Sequence, residues 1–393
     1  MHPSHTRLPS EVGAILASVW LSTLAQIGCG DGPPEEFDDA VEQQPCLPAS
    51  AADACVGRAP SSLHLLPMGL GVVTSTAEIA IVSWNSDGVA SAFVGPTGYG
   101  SVNPDDTLIG CRIDGASASV YLGSRQAATM TRIWDFTDAG EWMGGPDLAT
   151  AVLAPRCGDL DGDGLDELVG LWTPDGEARA YRGSERFGSR WTLAADLSEA
   201  GNPPFSSLVV DLDGDSEREY VFASVTEPTV HVLRGLREGD VPVVSRWPAG
   251  APIMGALAAK AGSARLVWVG SGEDGNGLLG AFALSEDALE PESDLTFETL
   301  AAPNRLFLAD LDADGIEDAV VASMPGSEYA VHLGLPGGTF APFATRPMPA
   351  TAIDMAIADL DGDGQLDLAC LPAGTDVLTV AWGDGTGAFV PGA

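Results

Sequence analysis

Four stretches of this chain share one acidic register, and that register limits the fold more than any other feature of the sequence. DLDGDGLDELVGL begins at Asp159, DLDGDSEREYVFA at Asp211, DLDADGIEDAVVA at Asp310 and DLDGDGQLDLACL at Asp359. Each lies between two short apolar runs, and a third, alternating run ends in a glycine 24 residues after the first Asp: Gly183, Gly235, Gly334 and Gly383. Self-similarity at a fixed period marks a repeat architecture. The spacings of 52, 99 and 49 residues leave room for a degenerate copy, and LAAKAGSARLVWVGS fills it with Ala258 at the first loop position. Upstream, aligning EIAIVS puts Leu70 first, and aligning SVYLGS puts Cys111 first. The series 70, 111, 159, 211, 258, 310, 359 gives seven repeats.

Within a repeat the order is apolar strand, acidic loop, apolar strand, turn, alternating strand and a weaker run. Four short antiparallel strands, repeated radially, describe a propeller blade. The expected fold is therefore all-β, a seven-bladed β-propeller of four-stranded antiparallel blades over residues 61–393. Unbroken apolar runs suit strands covered on both faces, and 48 Gly with 28 Pro supply the turns. A solenoid of parallel coils is the alternative, and the hairpin-like repeats argue against it. After Gly383 only DGTGAFVPGA remains, so the last outer strand is clipped. A segment within residues 45–62 is expected to complete it and remove the open edge.

A hard divalent cation takes six to eight oxygens. Carboxylates at loop positions 1, 3 and 5, a bend at glycine 6, a carbonyl at 7 and an acid at 9 supply them. That set is Asp159, Asp161, Asp163, Leu165 and Glu167 in the third repeat. It is Asp310, Asp312, Asp314, Ile316 and Asp318 in the sixth, and Asp359, Asp361, Asp363, Gln365 and Asp367 in the seventh. The fourth repeat offers Asp211, Asp213, Asp215, Glu217 and Glu219 but has Ser216 where the glycine belongs, so a weaker or empty site is expected there. An EF-hand fails on spacing, because its closing glutamate falls on Gly170, Phe222, Val321 and Cys370. Acidic turns that bind nothing are the plain alternative.

These loops and their flanking strands resemble FG-GAP or VCBS repeats, the calcium-loop blades also found in integrin alpha-chain propellers. The resemblance extends over residues 61–393. It implies a seven-bladed propeller with three or four structural Ca2+ ions between the first two strands of certain blades.

Charge and the amino terminus bear on location and partners. With 56 acidic against 18 basic residues the net charge is -38, and Lys260 is the only lysine. Such a surface repels phosphate backbones, which excludes nucleic acid and anionic membranes as partners. Val12 to Ile27 form an apolar run of 16 residues, short for a membrane span and suited to a signal core. The run ends at Gly28-Cys29, and residues 29–60 read as an acidic flexible tether. Residues 1–28 resemble a bacterial lipoprotein signal, although Gln26 departs from its pattern, and the resemblance implies lipidation of Cys29. Ordinary cleavage and a retained helix are the alternatives. The expected location is the outer membrane or cell surface through a lipid anchor, or the medium if unlipidated. Export permits disulfides, with Cys46 and Cys55 the candidate pair, while Cys111, Cys157 and Cys370 read as buried small hydrophobes.

No GxSxG, HExxH or phosphate-cradling glycine loop is present. His231 and His332, at offsets 20 and 22, read as sheet-face residues packed between blades, as do Trp134 and Trp382 at offset 23. No catalytic residue is assigned. The expected function is that of an exported, calcium-stabilised surface binding or adhesion module, a monomer whose partner is a protein or polysaccharide. A polysaccharide-active propeller enzyme, lyase or hydrolase, and an inert surface spacer are the alternatives. The enzyme would need Arg, Tyr or His clustered at the central channel or one rim.

Overall fold

The computed structural model describes residues 50, 53–55 and 60–391, except for 67–68, 75–77, 97–106, 112–117, 125–128, 137–146, 149–152, 161–165, 172–178, 183–191, 197–203, 216, 225–228, 235–242, 249–254, 261, 264, 273, 286–287 and 292–295; most side chains of the strands before residue 204 lie outside it. By its contacts the chain divides into Met1–Pro45, outside the described residues, and Cys46–Ala393. The signal expected over residues 1–28, the lipidation expected at Cys29 and the pairing expected at Cys46 therefore lie outside the described residues.

The described protein is all-β, with no helix among the described residues. Antiparallel sheets follow one another along the chain in step with the repeats. Four strands from Pro60–Leu66 to Ala90–Pro96 form the first sheet, and four from Thr107–Cys111 to Asp147–Leu148 the second. The third runs from Leu153–Gly158 to Thr192–Asp196 and the fourth from Pro204–Val210 to Val243–Pro248. The fifth, from Leu257–Ala259 to Ala288–Pro291, gains a short extra strand at Phe297–Thr299.

The sixth and seventh repeats share one eight-stranded sheet, because Ala344–Ala358 is a continuous strand with two partners. Its first part pairs with Gly326–His332, placing Tyr329 opposite Arg346. Its second part pairs with Asp367–Pro372, placing Ala356 opposite Ala369. The last full strand, Val377–Gly383, is covered at one end by Phe389–Pro391 and at the other by Ala54–Cys55, with Ala54 opposite Leu378. The amino-terminal segment thus supplies the cover that the clipped last repeat lacks. Asp53 reinforces it by accepting the Val380 N–H at 3.2 Å.

Second strands are the most apolar and the most enclosed. DAVVA (Asp318–Ala322) and DLACLP (Asp367–Pro372) are buried at every residue, as strands with neighbours on both faces should be. The cores lie between successive sheets. Val221 and Val232 of the fourth repeat pack with Leu266 and Phe282 of the fifth. Leu70, Val72 and Val82 of the first pack with Leu371, Leu378 and Val380 of the seventh.

First strands touch in series from the first repeat to the sixth, and Ala344–Ala358 returns to Pro60–Leu66. Polar bonds tie this series together. Arg156 Nε donates to the Ser207 carbonyl at 2.9 Å, and Ser206 Oγ accepts the Leu257 N–H at 3.1 Å. Asp354 closes it, taking Arg305 Nε at 2.7 Å on one oxygen and the Leu63 N–H at 3.0 Å on the other.

Two expected registers are corrected. Ala258 lies inside the first strand of its sheet, Leu257–Ala259, so the turn of the fifth repeat begins at Lys260 and not at Ala258. Leu70 does not open a loop: it lies inside the second strand, Gly69–Thr74, and EIAIVS (within Glu78–Trp84) is the third strand of its sheet. Its first two strands are joined between Leu66 and Gly69, so this repeat has no acidic loop to fix the alignment, and neighbouring apolar runs resemble one another too closely to do so.

Candidate metal-binding loops

Each described acidic loop joins the first and second strands of its repeat, so its first Asp follows the end of one strand and its ninth-position acid opens the next. Sharp curling brings the carboxylates together. Position 4 is left-handed in all three fully or nearly fully described loops: Gly214 at φ 81°, Ala313 at φ 58° and Gly362 at φ 81°. Gly315 and Gly364 at position 6 are left-handed as well. The sequence reading assigned this bend to position 6 alone.

In the sixth repeat Asp310, Asp312 and Asp318 bring one carboxylate oxygen each within 4.8 Å of the others, and in the seventh Asp359, Asp361 and Asp367 do the same. Position 5 is not in either group. Asp314 Oδ1 accepts the Ile316 N–H at 2.7 Å. Asp363 accepts the Gln365 N–H at 2.7 Å and its side-chain amide at 2.9 Å. At the expected carbonyl positions, Ile316 and Gln365, the N–H bonds back to the position-5 acid. In the fourth repeat the group is Asp211, Asp213 and Asp215, without Glu219, and Glu217 donates its N–H to Asp215 at 2.8 Å. In the third repeat Asp159 follows the first strand, while Asp161, Asp163, Leu165 and the Glu167 side chain lie outside the described residues.

The ninth-position acid has a second task, which explains the fixed glycine. Asp318 Oδ2 accepts the Leu311 N–H at 2.9 Å and Oδ1 accepts the Gly334 N–H at 2.7 Å. Asp367 repeats this with Leu360 at 2.9 Å and Gly383 at 2.9 Å. A Cβ on Gly334 would sit 2.3 Å from the Glu317 carbonyl oxygen, and one on Gly383 2.2 Å from that of Leu366. Only glycine lets the third strand approach closely enough to donate. The constant offset of 24 was the sequence signal for this contact.

Burial holds these acids above their ordinary range. Asp367 is pushed up to about 6 by burial, opposed by the Gly383 and Leu360 N–H bonds and reinforced by Asp361 and Asp363. Asp318 is raised for the same reasons, with Asp312 and Asp314 as its charged neighbours. Glu219 rises to about 7, mainly through burial, against the Leu212 N–H and Arg234. Buried carboxylates crowded by further carboxylates suit a cation bound by oxygens, so the residues present fit a hard divalent ion.

The described histidines, His64, His231 and His332, lie on strands. His231 is buried and stacks on Phe222 at 4.7 Å. His332 spans two repeats, with Nε2 3.0 Å from Thr299 Oγ1 and Nδ1 3.3 Å from the Ala341 carbonyl. His64, Arg156, Arg305 and Asp354 stand on first strands of different repeats and interact electrostatically; burial chiefly, with the two arginines, draws His64 down to about 4 against the pull of Asp354. Asp354 is used by Leu63, Met355 and Arg305, which makes the group a tie between strands. The cysteines depart from expectation at one point. Cys370 is a buried free thiol as expected, but Cys157, read as a buried hydrophobe, is disulfide-bonded, as is Cys55. No CxxC spacing advertises such a bond in the sequence.

Residues 310–370 match the FG-GAP-like repeat family. No curated protein matches the chain in sequence. Among solved structures it is similar to BBS1N in complex with ARL6DN, a propeller, at 10% identity and a TM-score of 0.55, covering 84% of this chain and 95% of that one. A functionally unknown protein from Desulfotomaculum acetoxidans matches at 10% identity and 0.51, covering 80% and 89%. A protein described as a candidate 6-phosphogluconolactonase from Bacteroides fragilis matches at 12% identity and 0.54, covering 81% and 95%. These likenesses concern the fold, and the segment that matches an FG-GAP-like repeat contains both loops whose carboxylates converge, at Asp310 and at Asp359.

Proposed function

We propose that the repeats close into a seven-bladed β-propeller of four-stranded antiparallel blades, and that calcium bound in its acidic loops stiffens them so that the rims can serve as a binding surface. The serial contacts of the first strands and the return of Ala344–Ala358 to the first repeat support the ring. One observation carries the calcium reading: adjacent repeats converge the same three carboxylates, at positions 1, 3 and 9, in a protein of net charge -38. The ion's role is structural, since each group sits on a loop whose ninth acid already ties two strands. The chain works as an exported module, lipid-anchored through Cys29, that binds a protein or polysaccharide at the cell surface. Calcium titration of the chelator-stripped protein tests the first part. Bound ions with a melting temperature that climbs by several degrees support it, and no binding up to about 10 mM, beyond the weakest extracellular modules, contradicts it. Radiolabelled palmitate incorporation, lost in Cys29→Ser, tests the anchor. Saturable, calcium-dependent capture of immobilised polysaccharides or surface proteins tests the binding role.

A further inference from the structure

The fourth repeat gives its ninth-position acid a cationic neighbour, while its offset-24 glycine, Gly235, lies outside the described residues. In the sixth and seventh repeats Asp318 and Asp367 each join the three-carboxylate group. In the fourth repeat Glu219 Oε2 takes the Leu212 N–H at 2.8 Å, and Oε1 lies 3.4 Å from Arg234 Nε. The pair is sheltered, with side chains 26% and 4% exposed, and Glu219 is absent from its loop's carboxylate group. Arg234 stands 23 residues after Asp211, where the sixth and seventh repeats have Leu333 and Trp382. Glu at position 9 thus accompanies Arg at offset 23, and Asp at position 9 accompanies an uncharged residue. The third repeat has the first combination in its sequence, Glu167 with Arg182, whose side chains lie outside the described residues.

We propose that Arg234 is a resident cation that keeps calcium out of the Asp211 loop, making the fourth repeat independent of the metal that the sixth and seventh require. The guanidinium engages the ninth-position carboxylate and offsets its charge, and an arriving divalent ion meets a like charge at a set of carboxylates that lacks the buried ninth-position acid. Ser216 in place of the loop glycine acts in the same direction. This rests on the calcium reading of the Asp310 and Asp359 loops.

The test counts bound calcium per full chain, stripped with chelator and titrated with calcium chloride, by calorimetry and elemental analysis. Asp213→Asn leaves the wild-type count unchanged, and so does Arg234→Lys. The double variant Glu219→Asp/Arg234→Leu, which reproduces the sixth-repeat pair, gains one ion, and adding Asp213→Asn removes it again. A count that drops by one on Asp213→Asn alone overturns the proposal, as does a folded double variant that gains nothing. Should the double variant not fold by near-ultraviolet circular dichroism, Arg234→Met alone must bring the extra ion, and its absence is equally decisive. Asp312→Asn with Asp361→Asn separates the two claims: an unchanged count there defeats the calcium reading itself, whatever the fourth repeat does.

Discussion

The fifth and sixth repeats build the same first hairpin from opposite materials. In the sixth, Arg305–Ala309 and Asp318–Ala322 pair across a loop with acids at positions 1, 3, 5, 8 and 9. In the fifth, Leu257–Ala259 and Arg265–Ser271 pair across a turn without one, and position 9 is Leu266, fully buried. Lys260 opens the turn, and its ammonium lies 3.4 Å from Glu317 of the next loop. The Gly262 N–H donates to the Asp211 carbonyl at 2.7 Å. The strand frame therefore stands on apolar second strands alone, and the acidic loop is an addition whose crowded charge calls for a counter-ion.

The largest expected difference between the two comes from truncating position 9. Asp318→Ala leaves the Leu311 and Gly334 N–H groups without their acceptor, a loss of about 2 to 4 kcal/mol, and Leu266→Ala costs a similar ~2 to 5 kcal/mol through its cavity. Urea unfolding with and without calcium separates them: Asp318→Ala loses part of the calcium response, and Leu266→Ala keeps all of it. Equal responses would erase the distinction between the repeats.

His332 gives a pH signature to the seam between them. Burial draws it down to about 4 from the ordinary 6.5, with the Ala341 carbonyl opposing. Between those values the unfolded chain binds the extra proton, so this contribution is fully present above pH 6.5 and is lost as pH falls toward 4. The loss reaches about 3 kcal/mol at about 1.4 kcal/mol per unit. His332→Gln should flatten the stability slope between pH 6.5 and 4 relative to wild type, and parallel slopes would contradict it.

Gly334→Ala drives a Cβ toward the Glu317 carbonyl and is expected to cost about 1 to 3 kcal/mol, in the range of overpacking, read as a lower urea midpoint; an unchanged midpoint would contradict the close approach. The smallest effect is stabilising. Ala313 is left-handed at φ 58° where the seventh repeat has glycine, so Ala313→Gly should raise stability by a few tenths to about 1 kcal/mol once glycine's own entropy is counted. A lower melting temperature in that variant would contradict the strain argument.

Much of this was legible in the sequence because it repeats. The positions of the loop acids, the strand on either side and the glycine at offset 24 follow from one register held four times. The first repeat was misplaced by one strand because it has no acids to mark the loop. The left-handed fourth position was hidden by the tolerance of glycine, and only Ala313 exposes it as a requirement. The diversion of Asp314 and Asp363 to backbone N–H groups depends on local turn geometry, which residue spacing does not encode. The Arg234–Glu219 pair joins residues 15 apart on different strands, and Arg234 shares its offset with the uncharged Leu333 and Trp382, so nothing in the repeat register marks it as a partner of position 9.

The most direct test of the central claim is a calcium titration of the full chain beside its Asp312→Asn/Asp361→Asn variant, reading bound ions and melting temperature together. The variant is expected to bind two fewer ions and to lose most of the calcium-induced rise in melting temperature while keeping its all-β circular dichroism. Equal ion counts and equal melting shifts in the two proteins would contradict it.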